Sequence, residues 1–174
     1  MSLQIFILGV LYSGNHHPYD IKKMFKKDNL EDIHTITDGT LYYNFDVLLK
    51  KECIEKISVT RDVNRPEKTT YGITDKGRET LQQGIYNSFK QLKDIPSLYS
   101  PTIFLKYVDK NKVAFLIEEG IEKFQGQLER NLLEWEVIQH EAPQSAHLIQ
   151  EHVLNQKRLE LDWLKKLLAY VQTL

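Results

Sequence analysis

Residues 38–77 read DGTLYYNFDVLLKKECIEKISVTRDVNRPEKTTYGITDKG, and a change of period inside this stretch decides the fold. Leu41, Phe45, Leu48 and Leu49 recur three and four residues apart, which places them on one face of a helix. Thr37-Asp38-Gly39 stands at its start, and the chain leaves the helix around Glu52-Cys53. From Ile54 the period becomes two. Ile54, Lys56, Ser58 and Thr60 alternate with Glu55, Ile57, Val59 and Arg61, a strand dense in β-branched residues. Residues 62–67 are expected to form a polar turn, and KTTYGI at 68–73 returns as an antiparallel strand. Thr74 is a good N-cap with Asp75 as an early acid, and Leu81, Ile85, Phe89 and Leu92 carry the next helix to about residue 92.

Upstream, two more helices are expected. The first spans about residues 3–12, with Leu3, Ile7, Leu8 and Leu11 as its buried stripe, and stops at Ser13-Gly14-Asn15. The second starts near Pro18, a residue suited to a first helical turn, and ends near Asp28-Asn29. Tyr19, Ile21, Met24 and Phe25 give it an apolar side. Lys22, Lys23, Lys26 and Lys27 line the other side, either as a solvated face or as a row of phosphate contacts. Three helices followed by a hairpin is the plan of a winged helix-turn-helix. A helix about 10–12 Å across fits the major groove of B-DNA, and a hairpin reaches the flanking backbone or minor groove. On the third helix, Tyr43 and Asn44 fall away from the leucine stripe. Asn44 is suited to adenine, and the hydroxyls of Tyr42 and Tyr43 to phosphate.

Downstream, Pro96, Ser97, Ser100 and Pro101 interrupt the pattern, and a hinge is expected there. It divides the chain into residues 1–93, a DNA-binding domain with 14 basic and 12 acidic side chains, and residues 94–174, a dimerisation domain with 9 and 12. Two long helices are expected at about residues 110–139 and 146–172, separated by Glu141-Ala142-Pro143-Gln144-Ser145. Each would be about 40 Å long at a rise of 1.5 Å per residue, too long for a lone pair to bury both apolar stripes. A second copy of the chain solves this, as a homodimer held by a helical bundle or an antiparallel coiled-coil arm. Phe124, Leu128, Leu132, Trp135, Leu159, Trp163, Leu167 and Tyr170 are the expected dimerisation residues.

Composition narrows the remaining classes. Of 174 residues, 41% are apolar and 27% charged, so a low-complexity or disordered chain is excluded. The 23 basic and 24 acidic residues give a net charge of -1, so the protein does not coat nucleic acid by uniform charge. A single cysteine, Cys53, cannot form an intrachain disulfide or a multi-cysteine metal site, and a reducing, cytoplasmic compartment is expected. Cys53 itself reads as a small buried residue. The opening MSLQIFILGVL lacks a positive leader and a cleavage pattern, so neither a signal peptide nor a membrane span is expected. His16, His17 and His34 have no ligand spacing, so no metal or cofactor is expected. No catalytic constellation points to an enzyme.

The stretches ILGVLYSGNHHPYDIKKMF (7–25), DGTLYYNFDVLLKKECIEK (38–56) and NRPEKTTYGITDKGRETL (64–81) resemble the PadR family of bacterial transcriptional regulators. They look like that family's helix 1–helix 2 unit, its Gly-Thr-Leu-Tyr recognition helix, and its wing with an Arg-Pro turn. SPTIFLKYV at 100–108 is similar to the start of the C-terminal domain in members with long helical arms. The resemblance implies a dimeric, sequence-specific DNA-binding regulator, usually a repressor, with a mainly α fold and a small β-hairpin. It assigns Thr37, Gly39, Thr40, Tyr42 and Tyr43 to the recognition helix, with Asn44 beside them, and Arg65 and Lys68 to the basic wing. In regulators of this kind a cavity between the arm and the DNA-binding domain can bind a small aromatic effector, so the resemblance leaves room for such a ligand. The chain departs from the pattern in four places. Cys53 stands where a helix-ending glycine is common, Tyr43 replaces a proline, Phe45 replaces a leucine, and Asp62-Val63-Asn64 lacks the usual glycine. The acid at the wing tip and the near-neutral charge motivate the alternative of a protein–protein interaction module whose winged domain no longer binds DNA.

Overall fold

The computed structural model describes residues 3–27, 36–62 and 65–174, without the side chains of residues 26, 60–62 and 65–67. The expected end of the second helix at Asp28-Asn29, His34 and the wing tip Val63-Asn64 lie outside the described residues. The chain is mostly helical with one two-stranded antiparallel sheet, a winged-helix fold followed by long C-terminal helices. It divides into two compact units, Met1–Ser88 with Lys93–Tyr107, and Phe89–Leu92 with Val108–Leu174.

In the first unit, α1 (Leu3–Ser13) is the central element. The sequence suggested one buried stripe, but Leu3 and every residue from Ile5 to Leu11 are buried. A short helix that is apolar all round has no solvent face and needs neighbours on every side. Phe6 meets Phe25 of α2 (Pro18–Lys27) edge-on at 5.0 Å and Phe104 at 5.8 Å. Gly9 makes the second approach possible, since a Cβ there would lie 2.4 Å from the Phe104 ring. On α2 the apolar side is narrower than its spacing suggested. Ile21 and Phe25 are buried, whereas Tyr19 is exposed, with Lys23 Nζ 4.7 Å above its ring.

The third helix, α3 (Asp38–Lys50), buries Leu41, Phe45 and Leu48. It leads into β1 (Ile54–Asp62), which pairs with β2 (Arg65–Ile73) from Ile54↔Ile73 to Asp62↔Arg65. Both strands therefore run further than expected, and Arg65, Pro66 and Glu67 belong to β2 rather than to a turn. Register shifts between Lys56 and Ser58 and between Thr60 and Asp62 accommodate the extra length and strengthen the local twist. The turn between α1 and α2 is stapled to the wing, because His16 and Tyr71 exchange both backbone hydrogen bonds at 3.0 Å.

Next comes α4 (Asp75–Lys90), capped by Thr74, whose Oγ1 accepts from the Gly77 N–H at 3.1 Å. Gly77 is required there, since a Cβ would lie 2.0 Å from the Cys53 carbonyl oxygen. The segment expected to act as a hinge is built of short helices: 3-10 turns at Ile95–Leu98 and Leu105–Tyr107 flank α5 (Tyr99–Ile103). The prolines and serines that interrupt the pattern stand among a set of anchors, for Ile95, Leu98, Phe104 and Leu105 are all buried. Tyr107 stacks on Tyr12 at 3.9 Å, and the Arg78 guanidinium lies over the Tyr12 ring, 4.3 Å from its centroid.

The second unit is a helical hairpin of α6 (Lys110–Ile138) and α7 (Gln144–Thr173). Asp109 caps α6 through the N–H groups of Asn111 and Lys112. The buried residues are Val113, Ile117 and Phe124 near the start of α6 and Leu161, Leu164, Leu167 and Val171 near the end of α7, as antiparallel packing requires. Leu92 packs against Gly120, where a Cβ would lie 3.1 Å from Leu92 Cδ2. The distal half of the hairpin buries little. Leu133, Val137 and Ile138 on α6 and Leu148 and Ile149 on α7 are exposed, with Val137 at 80%. Among the described residues, no helix is long and apolar enough to cross a membrane.

Candidate nucleic-acid interface

α3 is fixed at both ends. At its start Thr37 and Thr40 form a capping box. The Thr40 N–H donates to Thr37 Oγ1, and the Thr37 N–H donates to Thr40 Oγ1, both at 3.1 Å. The two threonines expected to touch DNA thus also close the helix end, with their side chains exposed. Asp38 sits in the first turn, where a carboxylate favours the helix dipole, and its Oδ1 lies 2.6 Å from Lys22 Nζ.

At the other end the helix closes without the usual glycine. The Cys53 N–H donates to the Leu48 carbonyl and the Glu52 N–H to the Leu49 carbonyl, both at 2.9 Å. This is a Schellman motif, and its left-handed residue is Glu52, at φ 58°. The departure at Cys53 is therefore a shift of roles. Cys53 supplies the buried residue after the turn, and Glu52 accepts the strained conformation. Glu52 is held by Lys76 at 3.1 Å, and its carbonyl accepts from Thr74 Oγ1 at 2.7 Å.

Between these ends, one face of α3 is core and the other is open. Tyr42 is 47% exposed and Tyr43 67%. Gly39 is exposed as well, and so are Asp46 and Lys50. Asn44 is placed differently from its expected role. Its Oδ1 accepts from Gln4 Nε2 at 3.1 Å, and its Nδ2 donates to the Thr40 carbonyl at 2.7 Å. Half of its hydrogen-bonding capacity thus ties α3 to α1 and to its own preceding turn. Gln4 was not foreseen, since a lone polar residue in an apolar helix leaves no periodic signal.

The expected cations are largely partnered. Lys22 pairs with Asp38, Lys23 covers Tyr19, and Lys68 on the wing lies 3.6 Å from Asp20 of α2. The backbone of Arg65 lies at the far end of β2. Exposed pairs of this kind are worth about 0–1 kcal/mol each, so exchange for a phosphate partner is cheap. Two titrating groups lie between helix and wing. Partial burial, and secondarily the Lys68 charge, holds His17 below its ordinary value, against the opposing pull of Asp20. Burial, then Asp46 and Tyr42, pushes the Tyr71 phenol up. The ring of Tyr71 packs on Phe45 at 4.9 Å, joining the wing to the inner side of α3. Among the described residues, no three His, Cys, Asp or Glu side chains gather as a metal site. Cys53 is buried, with Sγ 3.5 Å from Thr80 Oγ1.

Residues 7–83 match the model of the transcriptional regulator PadR-like family. Over those residues the chain is similar to the PadR-like family. The match spans α1, α2, α3, both strands and the first half of α4. No curated protein sequence matches this chain. Among solved structures it is similar to Bacillus subtilis PadR in complex with operator DNA, at 21% identity over 97% of this chain and 98% of that one, with a TM-score of 0.42. It is also similar to a PadR-like transcriptional regulator from Bacillus cereus, at 22% identity over 98% of each chain and a TM-score of 0.40. A third likeness is to B. subtilis PadR in complex with p-coumaric acid, at 19% identity over 98% of each chain and a TM-score of 0.39.

The expected dimerisation residues do not share one environment. Phe124 and Leu167 are buried, and Leu128, Trp135 and Trp163 are half-buried. Leu132, Leu159 and Tyr170 are exposed, with Leu159 at 70%. Sequence spacing marked the stripes but could not say which side faces the other helix of the hairpin.

Proposed function

We propose that this PadR-like chain is a homodimeric, cytoplasmic transcriptional repressor that reads a pseudo-palindromic DNA operator through α3. Residues 1–93 serve as the DNA-binding domain and residues 94–174 as the dimerisation domain. The observation that carries this is the division of α3. Leu41, Phe45 and Leu48 anchor it, while Tyr42 and Tyr43 stand exposed on the opposite side, ahead of a two-stranded wing. In a dimer the two α3 helices enter successive major grooves about 34 Å apart, with the tyrosine hydroxyls, Thr37, Thr40 and the bare edge at Gly39 against the duplex. Lys22, Lys23, Arg65 and Lys68 meet phosphates. The exposed apolar residues of α6 and α7 are the surface a second copy covers. Regulation by a small aromatic ligand belongs to the same account, and release of bound duplex on adding an aromatic carboxylic acid is its measurement.

The test is a titration of mixed-sequence duplex with the full chain at two salt concentrations. With about six phosphate contacts per dimer, affinity falls about 10³-fold between 50 and 200 mM salt. Absence of binding at low salt contradicts the proposal. That outcome would favour the second reading, a protein-interaction module, which the two carboxylates on the exposed side of α3, Asp38 and Asp46, motivate.

A further inference from the structure

At 3.6 residues per turn, Gly39, Tyr43, Asp46 and Lys50 fall on one line along α3, and all four are exposed. The centre of this line is an acid. Asp46 has no hydrogen bond or ion pair among the described residues, and Lys50, one turn further on, does not pair with it.

A carboxylate here opposes binding to any duplex, because it faces phosphates. An ionised carboxylate can only accept hydrogen bonds. The major-groove edges of guanine and thymine present lone pairs at O6, N7 and O4, which repel it, and only the amino groups of cytosine N4 and adenine N6 can donate to it. Adenine sets the N7 lone pair beside its amino group on the same base, whereas cytosine sets a C5–H there. In the base pair the adenine amino group is flanked by lone pairs on both sides, its own N7 and the O4 of thymine, whereas the cytosine amino group has one such neighbour, the O6 of guanine, so cytosine is the base that meets the carboxylate with the least repulsion.

Building on the DNA-binding reading above, we propose that Asp46 is a specificity-determining residue that accepts a hydrogen bond from the N4 amino group of a cytosine in each half-site. The acid lowers affinity for sequences lacking that cytosine and leaves affinity for the cognate site intact. Selectivity then comes from rejection as much as from attraction.

The experiment selects duplexes with a randomised centre using the full-length wild type and Asp46→Ala, then titrates the selected duplex and a version with the cytosine replaced. The wild type should enrich a cytosine at one fixed position per half-site, and replacing it should weaken binding about tenfold. For Asp46→Ala the same replacement should cost less than about twofold, with the other enriched positions kept and affinity for random duplex equal or higher. Retention of the cytosine preference in Asp46→Ala overturns the proposal. So does a loss of all positions alike, which would make Asp46 a structural residue. If the wild type enriches no sequence at all, the DNA-binding reading itself fails, and that result is visible before any variant is made.

Discussion

Lys22 Nζ lies 2.6 Å from Asp38 Oδ1, so the second helix of the fold is pinned to the first turn of the third by an ion pair at the edge of the candidate interface. The pair joins one group that would attract phosphate to one that would repel it. Asp38→Ala removes the repelling acid and should raise affinity for mixed-sequence duplex, whereas Lys22→Ala should lower it. Each change should cost less than about 1 kcal/mol of stability in urea titrations, because the pair is only partly screened from water. Equal affinity in both variants would show that Lys22 stays clear of the backbone.

Glu52 occupies the left-handed position that closes α3, at φ 58°. That conformation costs an L-residue about 1–2 kcal/mol, and the exposed pair with Lys76 returns about 0–1 kcal/mol. Glu52→Gly should therefore stabilise the protein by about 1 kcal/mol, read as a rise in the midpoint of urea unfolding. Gly77→Ala, which drives a Cβ into the Cys53 carbonyl, should strongly destabilise it.

The N–H of Tyr19 donates to His17 Nδ1 at 3.1 Å, so a neutral imidazole caps α2. Burial and Lys68 lower the folded pKa below the ordinary 6.5. As pH falls, the unfolded chain takes up the proton first, and stability is lost from about 6.5 down to the folded value. His17→Asn keeps a capping acceptor without a titrating group. It should flatten this part of the pH–stability curve, measured by urea midpoints between about pH 5 and 8.

Leu159 and Leu167 lie on the same helix in opposite surroundings, the first open and the second buried. Leu159→Glu should leave the hairpin folded but shift the protein toward monomer in sedimentation equilibrium. Leu167→Ala should instead destabilise the chain by about 2–5 kcal/mol through the cavity it leaves. An unchanged dimer in Leu159→Glu would move the interface elsewhere, the exposed tip around Val137 and Ile149 being the next surface to test.

Much of the fold was legible because its signals are periodic. The switch from Leu41-Phe45-Leu48 spacing to alternation at Ile54 marked α3 and the wing, and Thr74 marked the start of α4, while α7 begins at Gln144, ahead of the expected start near residue 146. What stayed hidden depends on partners distant in sequence. The hydrogen bond from Gln4 to Asn44 crosses 40 residues, and it turns a candidate base reader partly into a structural tie. The short helices around Phe104 have no periodic signal, because each is under two turns long and Phe104 is anchored against Phe6 and Gly9 of α1. Asp46 gives no signal in the sequence, because an acid on a helix is usually part of a solvated face, and its exposure in line with Gly39, Tyr43 and Lys50 is a property of the fold.

The central claim is that the outer edge of α3 reads sequence, and Tyr43→Ala tests it most directly. Unlike Asn44→Ala, it removes no internal hydrogen bond among the described residues. Affinities of wild type and variant should be compared on a selected duplex and on a mixed-sequence duplex at the same salt. The account predicts that Tyr43→Ala loses most of the preference for the selected duplex and keeps its mixed-sequence affinity within about twofold. A variant whose preference equals that of the wild type would contradict it.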